Sequence, residues 1–289
     1  MKRVLKKLEI IVFAAMVCSA CDKDSDDIVS GAFSVAKGKK VFFSQGNLQY
    51  QASTQTWRFA EHQYDIVGKG NENISPTYDG WIDLFGFGTS GWNSGAVAYQ
   101  PFSTSANSAD YCVNHLTGDY ANADWGVYNL ISNGSEKDCW RTLTNTEWEY
   151  LLFTRSNCDN LYSKGKVNGI CGLILLPDDW RLPKDVAFTS MPLDWNTNNY
   201  SVEEWQKLEI EGAIFLPSPG MILEEYKNEE AAEGYYWTST IYSRLYKETG
   251  ECESANAYIF YGYKVIEGFE MNSQELNTRC AVRLVRNAK

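Results

Sequence analysis

From residue 32 the chain alternates apolar and polar positions in the manner of β-strands, AFSVAKGKKVFFSQGNLQY. Two apolar runs flank Lys37-Gly38-Lys39, a pattern that predicts a hairpin, and QGNLQY continues as a further strand. TWRFAEHQYDIV is a second aromatic, strand-like stretch. Between 68 and 138 the alternation dissolves into Gly, Asn, Ser and Asp, with aromatic anchors in GWIDLFGFGTSGW and DWGVYNLISNG. So long a coil inside a compact domain is unusual and often functional. Its rings equally suit a large packed Ω-loop that they pin down.

The period changes at WRTLTNTEWEYLL, residues 140–152, and at YSVEEWQKL, residues 200–208. Each phrase holds a hydroxyl residue, a glutamate three places later and then a tryptophan. Thr144 is placed to cap a helix, with Glu147 at the third helical position reaching back to its amide, which is a capping box. Trp148, Leu151 and Leu152 then fall at i, i+3 and i+4 as an apolar stripe. In the second copy Ser201 caps, Glu204 reciprocates, Trp205 and Leu208 form the stripe, and Gly212 ends the helix. Both glutamates are thus engaged by backbone amides, at about 1 kcal/mol per cap, and neither is a candidate for acid–base catalysis. The apolar strands of KGKVNGICGLILLPDDW and AIFLPSPG are each stopped by proline, and GYYWTST to AVRLV reads as strands joined by polar, tyrosine-rich loops. Two helices among many short strands define an α+β domain, and no self-similar period marks a solenoid.

The first twenty residues stand outside that domain. Lys2, Arg3, Lys6 and Lys7 precede the apolar run IIVFAAMV, which is far shorter than the ~20 residues that span a bilayer and reads as a secretory signal. Ser19-Ala20 place small residues before Cys21, as lipoprotein signal peptidase requires, whereas Cys18 follows the bulkier Met16 and Val17. Cys21 is therefore the expected lipidated N-terminus, residues 21–31 an acidic tether beginning DKDSDD, and 32–289 the domain.

Loss of residues 1–20 removes four positive charges and one negative, so the formal net charge moves from −11 to −14. With no basic stripe to interrupt it, that charge argues against nucleic acid as a partner and leaves basic or neutral ligands, glycans among them. The composition, 44% hydrophobic, supports a sizeable core, and 10 Trp, 18 Tyr and 13 Phe suit either that core or a sticky surface.

Besides Cys18 and Cys21 there are six cysteines, Cys112, Cys139, Cys158, Cys171, Cys252 and Cys280, an even number that predicts disulfides in an exported chain. Cys158 with Cys171 is the cheapest candidate, because the two flank a short segment; its closure would contribute ~3 kcal/mol. Two buried thiols are the alternative. With only two histidines, His62 and His115, and no CxxC after the leader, a zinc site has little support.

Other chemistry is equally thin. Neither a GxxxxGK[ST] phosphate loop nor a GxSxG elbow occurs. LDWNTNN at 193–199 supplies oxygen ligands that keep calcium open as a cofactor, against the blander reading of a solvated loop. Paired carboxylates for glycoside hydrolysis stay open, since that pairing is spatial.

Several phrases together resemble a known family. WRTLTNTEWEYL is similar to the RLPTEAEWEYA helix start of the formylglycine-generating-enzyme group, within the C-type lectin-like fold. WRLP at 180–183, GYYWTST at 234–240 and the terminal CAVRLVR resemble the Fibrobacter succinogenes major paralogous domain, which shares that fold. VFFSQGNLQY, WRFAEHQYDIVG, GWIDLFGFGTSG and LILLPDDW resemble its version in exported Bacteroidota lipoproteins, and the matches run in order from about 33 to 286. The resemblance implies a twisted antiparallel sheet with two helices, adjacent N- and C-terminal strands and a long ligand-presenting loop region. The acidic run after Cys21 resembles the stretch that directs such lipoproteins to the outer face of the outer membrane. The copper-holding cysteine pair of formylglycine-generating enzymes is missing: after 234 only Cys252 and Cys280 remain, twenty-eight positions apart. Nor is there a Glu-Pro-Asn or Gln-Pro-Asp tripeptide of calcium-dependent lectins.

The expectation is a non-enzymatic, surface-exposed lipoprotein that binds an extracellular glycan or protein, an adhesin or glycan receptor held to the membrane by lipid alone. The alternatives are a membrane-tethered carbohydrate-active enzyme and a structural subunit of a surface assembly. The resemblance puts ligand contacts just before and between the final strands, in IYSRLYKETGECESANAYIFYGYK, with Tyr242, Arg244, Tyr246, Asn256 and Tyr263 as candidates. Tyrosine offers a flat apolar face and a hydroxyl tip, and arginine adds fixed donors. Tyr242, Arg244 and Tyr246 lead, because they fall in a polar stretch after the expected TST turn, where periodicity is weakest.

Overall fold

The computed structural model of the protein describes residues 31–72, 75–89, 124–134, 139–190, 192, 194–223, 226–227, 233–246, 252–262 and 269–288. Cys21 and the acidic tether lie outside the described residues, as do Cys112 and Tyr263. Strands β1 (Phe33–Ala36) and β2 (Lys39–Phe43) form the expected hairpin, with Gly38 at φ 73° supplying the left-handed turn residue. Strands β3 (Leu48–Gln51), β4 (Thr56–Phe59) and β5 (Trp81–Ile82) make a three-stranded sheet with β3 in the middle.

Of the long coil, the described parts hold a 3-10 turn at Gly68–Glu72, β5 and a one-turn helix α1 (Trp125–Tyr128). Phe85, Phe87 and Trp125 are fully buried and share one core cluster with Trp57, Trp140 and Trp237. There the rings do pin the chain to the domain.

Strand β6 (Arg141–Thr142) leads into helix α2 (Asn145–Phe153). The capping box is complete: Glu147 N donates to Thr144 Oγ1 at 3.2 Å, and Thr144 N donates to Glu147 Oε2 at 3.0 Å. Trp148, Leu151 and Leu152 pack on Phe33, Val41 and Phe43, each large side chain contributing about 1.5–3 kcal/mol by leaving water. Helix α3 (Val202–Ile210) repeats the device with Ser201 and Glu204, buries Trp205 and Leu208, and is followed by Gly212 at φ 94°.

Between the helices, β7 (Tyr162–Val167) and β8 (Ile170–Leu175) form a hairpin, where the sequence pattern gave only a strand. Asn168 and Gly169, at φ 50° and 80°, make the turn, since two successive positive-φ positions match the twist of the flanking strands. Strand β9 (Asn199–Tyr200) lies parallel to β7, and β10 (Ile214–Pro217) pairs with β8.

This hairpin separates the proposed disulfide partners. Cys171 pairs across from Lys166, four residues and about 13 Å along β7 from Tyr162. Cys158 opens the 3-10 turn Cys158–Asn160 beyond the other end of that strand. A disulfide spans at most about 7 Å between Cα atoms, and Cys158 and Cys171 are free thiols, as is Cys280.

After the short pair β11 (Ile222–Leu223) and β12 (Tyr226–Lys227) comes an antiparallel sheet of β13 (Gly234–Tyr246), β14 (Cys252–Gly262) and β15 (Phe269–Glu275). The last strand, β16 (Leu284–Asn287), inserts between β2 and β6, with Val285 opposite Phe43 and Arg141. Strands from the two ends of the domain therefore lie side by side. The whole is an α+β domain, mostly sheet. Among the described residues no helix is long and apolar enough to cross a membrane.

Candidate ligand-binding surface and adjoining cleft

Strand β13 is rooted in the core. Ala281 N donates to Tyr235 O at 2.9 Å, and Trp237 N to Ala281 O at 3.0 Å. Trp237 Nε1 donates to Phe85 O at 2.7 Å, and the buried Tyr236 hydroxyl donates to Pro217 O at 2.6 Å. The pairing with β14 then slips between Trp237 and Ile241 and again between Ile241 and Ser243. Bulges of this kind bend and re-aim a strand. Across the first, Ser239 N donates to Leu143 O at 3.0 Å, and Thr240 Oγ1 accepts Asn145 N at 3.0 Å, so β13 is tied to the start of α2.

The TST segment is thus an irregularity within a thirteen-residue strand and not a turn. Tyr242 stands at the second bulge; Arg244 and Tyr246 follow on the distal strand, opposite Ala255 and Cys252. Asn256 pairs with Ser243 on one side and Glu275 on the other. The backbone thus brings Tyr242, Arg244, Tyr246 and Asn256 onto the paired strands β13 and β14.

Buried polar groups hold the root of this sheet. Arg283, in the terminal CAVRLVR, is fully buried and donates to Asn47 Oδ1 at 3.3 Å, Gln45 O at 3.2 Å and Gln63 Oε1 at 3.0 Å. Burial pulls its pKa down to about 10. Gln63 in turn donates to Glu209 Oε1 and Ala213 O, joining the terminal segment to the end of α3. A lone arginine inside the apolar run AVRLV was the signal for this role, and periodicity alone did not separate it from a surface residue.

Among the described residues two carboxylates, Asp83 and Asp124, are buried. Asp83 accepts Val67 N at 2.9 Å and Asn71 Nδ2 at 2.7 Å; Asp124 accepts Gly126 N at 3.0 Å, Thr142 N at 2.9 Å and Thr142 Oγ1 at 3.1 Å. Desolvation pushes each pKa up to about 6 against these stabilising bonds. Neither is open to a substrate; both clamp backbone.

Several of the LDWNTNN oxygens are also engaged. Asp194 Oδ1 accepts the backbone and side-chain amides of Asn196, both at 2.9 Å, and Asn196 Oδ1 accepts Lys166 Nζ at 2.8 Å. Asn198 Nδ2 is spent on Ser163 Oγ, Lys164 O and Thr189 O. An ammonium already sits against this loop, which is knitted to β7 by hydrogen bonds. Among the described residues no group of three or more His, Cys, Asp or Glu converges to hold a metal.

A cleft of about 360 Å³ opens beside the β6–α2 corner, lined by Gly38, Lys39, Lys40, Arg141, Glu147 and Asn287. Arg141 is clamped: Nη1 and Nη2 donate to Glu147 Oε2 and Oε1 at 2.7 and 2.8 Å, while Nε and Nη2 donate to Asn287 Oδ1 at 3.1 and 3.0 Å. Lys40 reaches Asp178 at 3.0 Å. No protein-family model, no curated protein and no solved structure matches this chain.

Proposed function

We propose that the protein is a lipid-anchored, surface-exposed binding module of C-type lectin-like fold that captures an extracellular glycan without chemistry. One observation carries the reading: β13 is fixed at its base by the core and runs on through three register slips, paired with β14, carrying Tyr242, Arg244 and Tyr246. A rigid root with a re-aimed distal end is how a scaffold presents contact residues. The lectin-like assignment draws on the sequence resemblance, on the pairing of β2 with β16 and on two capped helices packed against the sheets. The buried carboxylates Asp83 and Asp124 serve backbone donors, which favours binding over hydrolysis. A glycan array run beside a hydrolysis screen on the same polysaccharides tests the proposal. Capture without turnover is expected, and turnover at catalytic enzyme concentration would replace it with the enzyme reading.

A further inference from the structure

We propose that the cleft between the β1–β2 hairpin and the last strand binds the anionic group of an acidic sugar, a carboxylate or sulfate carried on one pyranose ring. The inference rests on the glycan-binding reading and adds to it a second, charge-selective subsite.

The first argument is the donor inventory. Among the described residues Glu147 is the carboxylate that lines the cleft, and both its oxygens are engaged: Oε1 accepts Arg141 Nη2, and Oε2 accepts Arg141 Nη1 and Thr144 N. Asn287 Oδ1 is likewise taken by Arg141. Among the described side chains of the cleft, several donors remain unspent. Arg141 keeps one Nη1–H, Asn287 keeps its Nδ2 amide, and exposed Lys39 pairs with no described residue. Lys40, though bonded to Asp178, is still 43% exposed. Fixed guanidinium, amide and ammonium donors beside an ion-paired carboxylate favour an anion over a cationic group.

The second argument is contrast. The chain carries a formal net charge of −11, yet three cations and one carboxylate line this cleft. Arg141 and Glu147 are 24% and 16% exposed, so solvent screens an arriving charge less here than on open surface. A cleft of about 360 Å³ falls at the small end of ligand sites and has room for one ring.

The third argument is position. Arg141, Leu143, Asn145 and Glu147 form one corner; Glu147 faces the cleft while Leu143 O and Asn145 N bond Ser239 and Thr240 of β13. One saccharide chain crossing that corner meets both the cleft and the root of the tyrosine-bearing hairpin.

The test is calorimetric titration of the purified chain at low salt with galacturonic acid, galactose 6-sulfate, galactose and sodium sulfate. The two acidic sugars are expected to bind and galactose to bind at least tenfold more weakly. Lys39→Ala should weaken the acidic sugars about tenfold, the scale of one charge-assisted hydrogen bond, and Lys39→Glu should abolish them. Because Lys39 is exposed on a hairpin, both variants should melt with the parent, which separates lost binding from lost fold. Acidic sugars that bind no tighter than galactose, or Lys39→Glu that binds like the parent, would overturn the subsite. Sodium sulfate matching the sugars would overturn it as a saccharide site. If neutral glycans are captured on the array while Lys39 proves irrelevant, the subsite fails and the binding reading stands; if no array glycan is captured, that reading fails independently of the titration.

Discussion

Arg141 and Glu147 face each other fork to fork, with two parallel bonds of 2.7 and 2.8 Å, and the same glutamate accepts Thr144 N at 3.0 Å. One carboxylate therefore closes the capping box of α2 and fixes the guanidinium of β6. Glu147→Ala removes a cap, a bidentate ion pair and the order of Arg141 together. An expected loss of about 2 kcal/mol follows from the cap and charge-assisted bonds, measurable by urea unfolding. Glu204→Ala, which breaks only a cap at a more exposed site, should cost about 1 kcal/mol.

Acid sensitivity has two opposing sources. Asp83 and Asp124 have folded pKa values raised to about 6 by desolvation, so the folded state binds protons that the unfolded state does not. Stability should thus rise as pH falls from 7 towards 5. Glu147 and Asp178 act the other way: partial burial pushes each up, but the bonds from Arg141 to Glu147 and from Ser34 and Lys40 to Asp178 hold both below their ordinary values. Their contribution is present above the unfolded pKa, near 4, and disappears as pH drops through the folded value. Thermal melts across pH 3–8 should show a maximum near pH 5. A monotonic fall from pH 7 to 5 would show that the two buried aspartates do not titrate as argued.

The thiols give a direct chemical readout. Cys158 and Cys171 are partly exposed, and should alkylate in the native, unreduced protein. Cys280 is fully buried, with its pKa raised by desolvation, and should react only after unfolding. Peptide mapping before and after denaturant checks both; a 158–171 cross-linked peptide would contradict the β7–β8 geometry.

Replacing Tyr242, Arg244 and Tyr246 with alanine should abolish glycan capture and shift the melting temperature little, because Tyr235, Tyr236, Trp237 and Ile241 anchor β13 in the core and stay in place. Capture by a well-folded triple mutant would move the site off this hairpin.

Anchoring is separable from folding. If Cys21 is the lipidated residue, as proposed, Cys21→Ser should release a folded domain into the soluble fraction, since the lipid and not the fold would hold it at a membrane. Acyl labelling that persists in the mutant would point to the wrong cysteine.

Much of the frame was legible where local chemistry decides structure. Capping boxes at Thr144 and Ser201, the glycine turn at Gly38 and the buried stripes of Trp148 and Trp205 are short-range patterns whose partners lie within four residues. The errors came from long-range pairing. Polar Thr238-Ser239-Thr240 looked like a turn, yet Ser239 finds Leu143 and Thr240 finds Asn145, each some ninety-five residues away. The pairing of Ser243 with Asn256 depends on strand register, which a single sequence does not encode visibly. The cleft was illegible for the same reason, because Lys39, Arg141 and Asn287 meet only when β16 slides between β2 and β6.

That insertion also makes the domain nearly circular. Phe33 lies opposite Val41, and Val41 opposite Asn287, so the two ends of the described domain are separated by about two strand spacings, roughly 10 Å. A linker of about four residues could join Ala288 to Ala32, and new termini cut into the exposed Asn168-Gly169 turn would leave the β2–β16–β6 ladder uninterrupted. A reporter fused after the last strand would emerge beside β1, at the same end of the ladder as the start of the described domain.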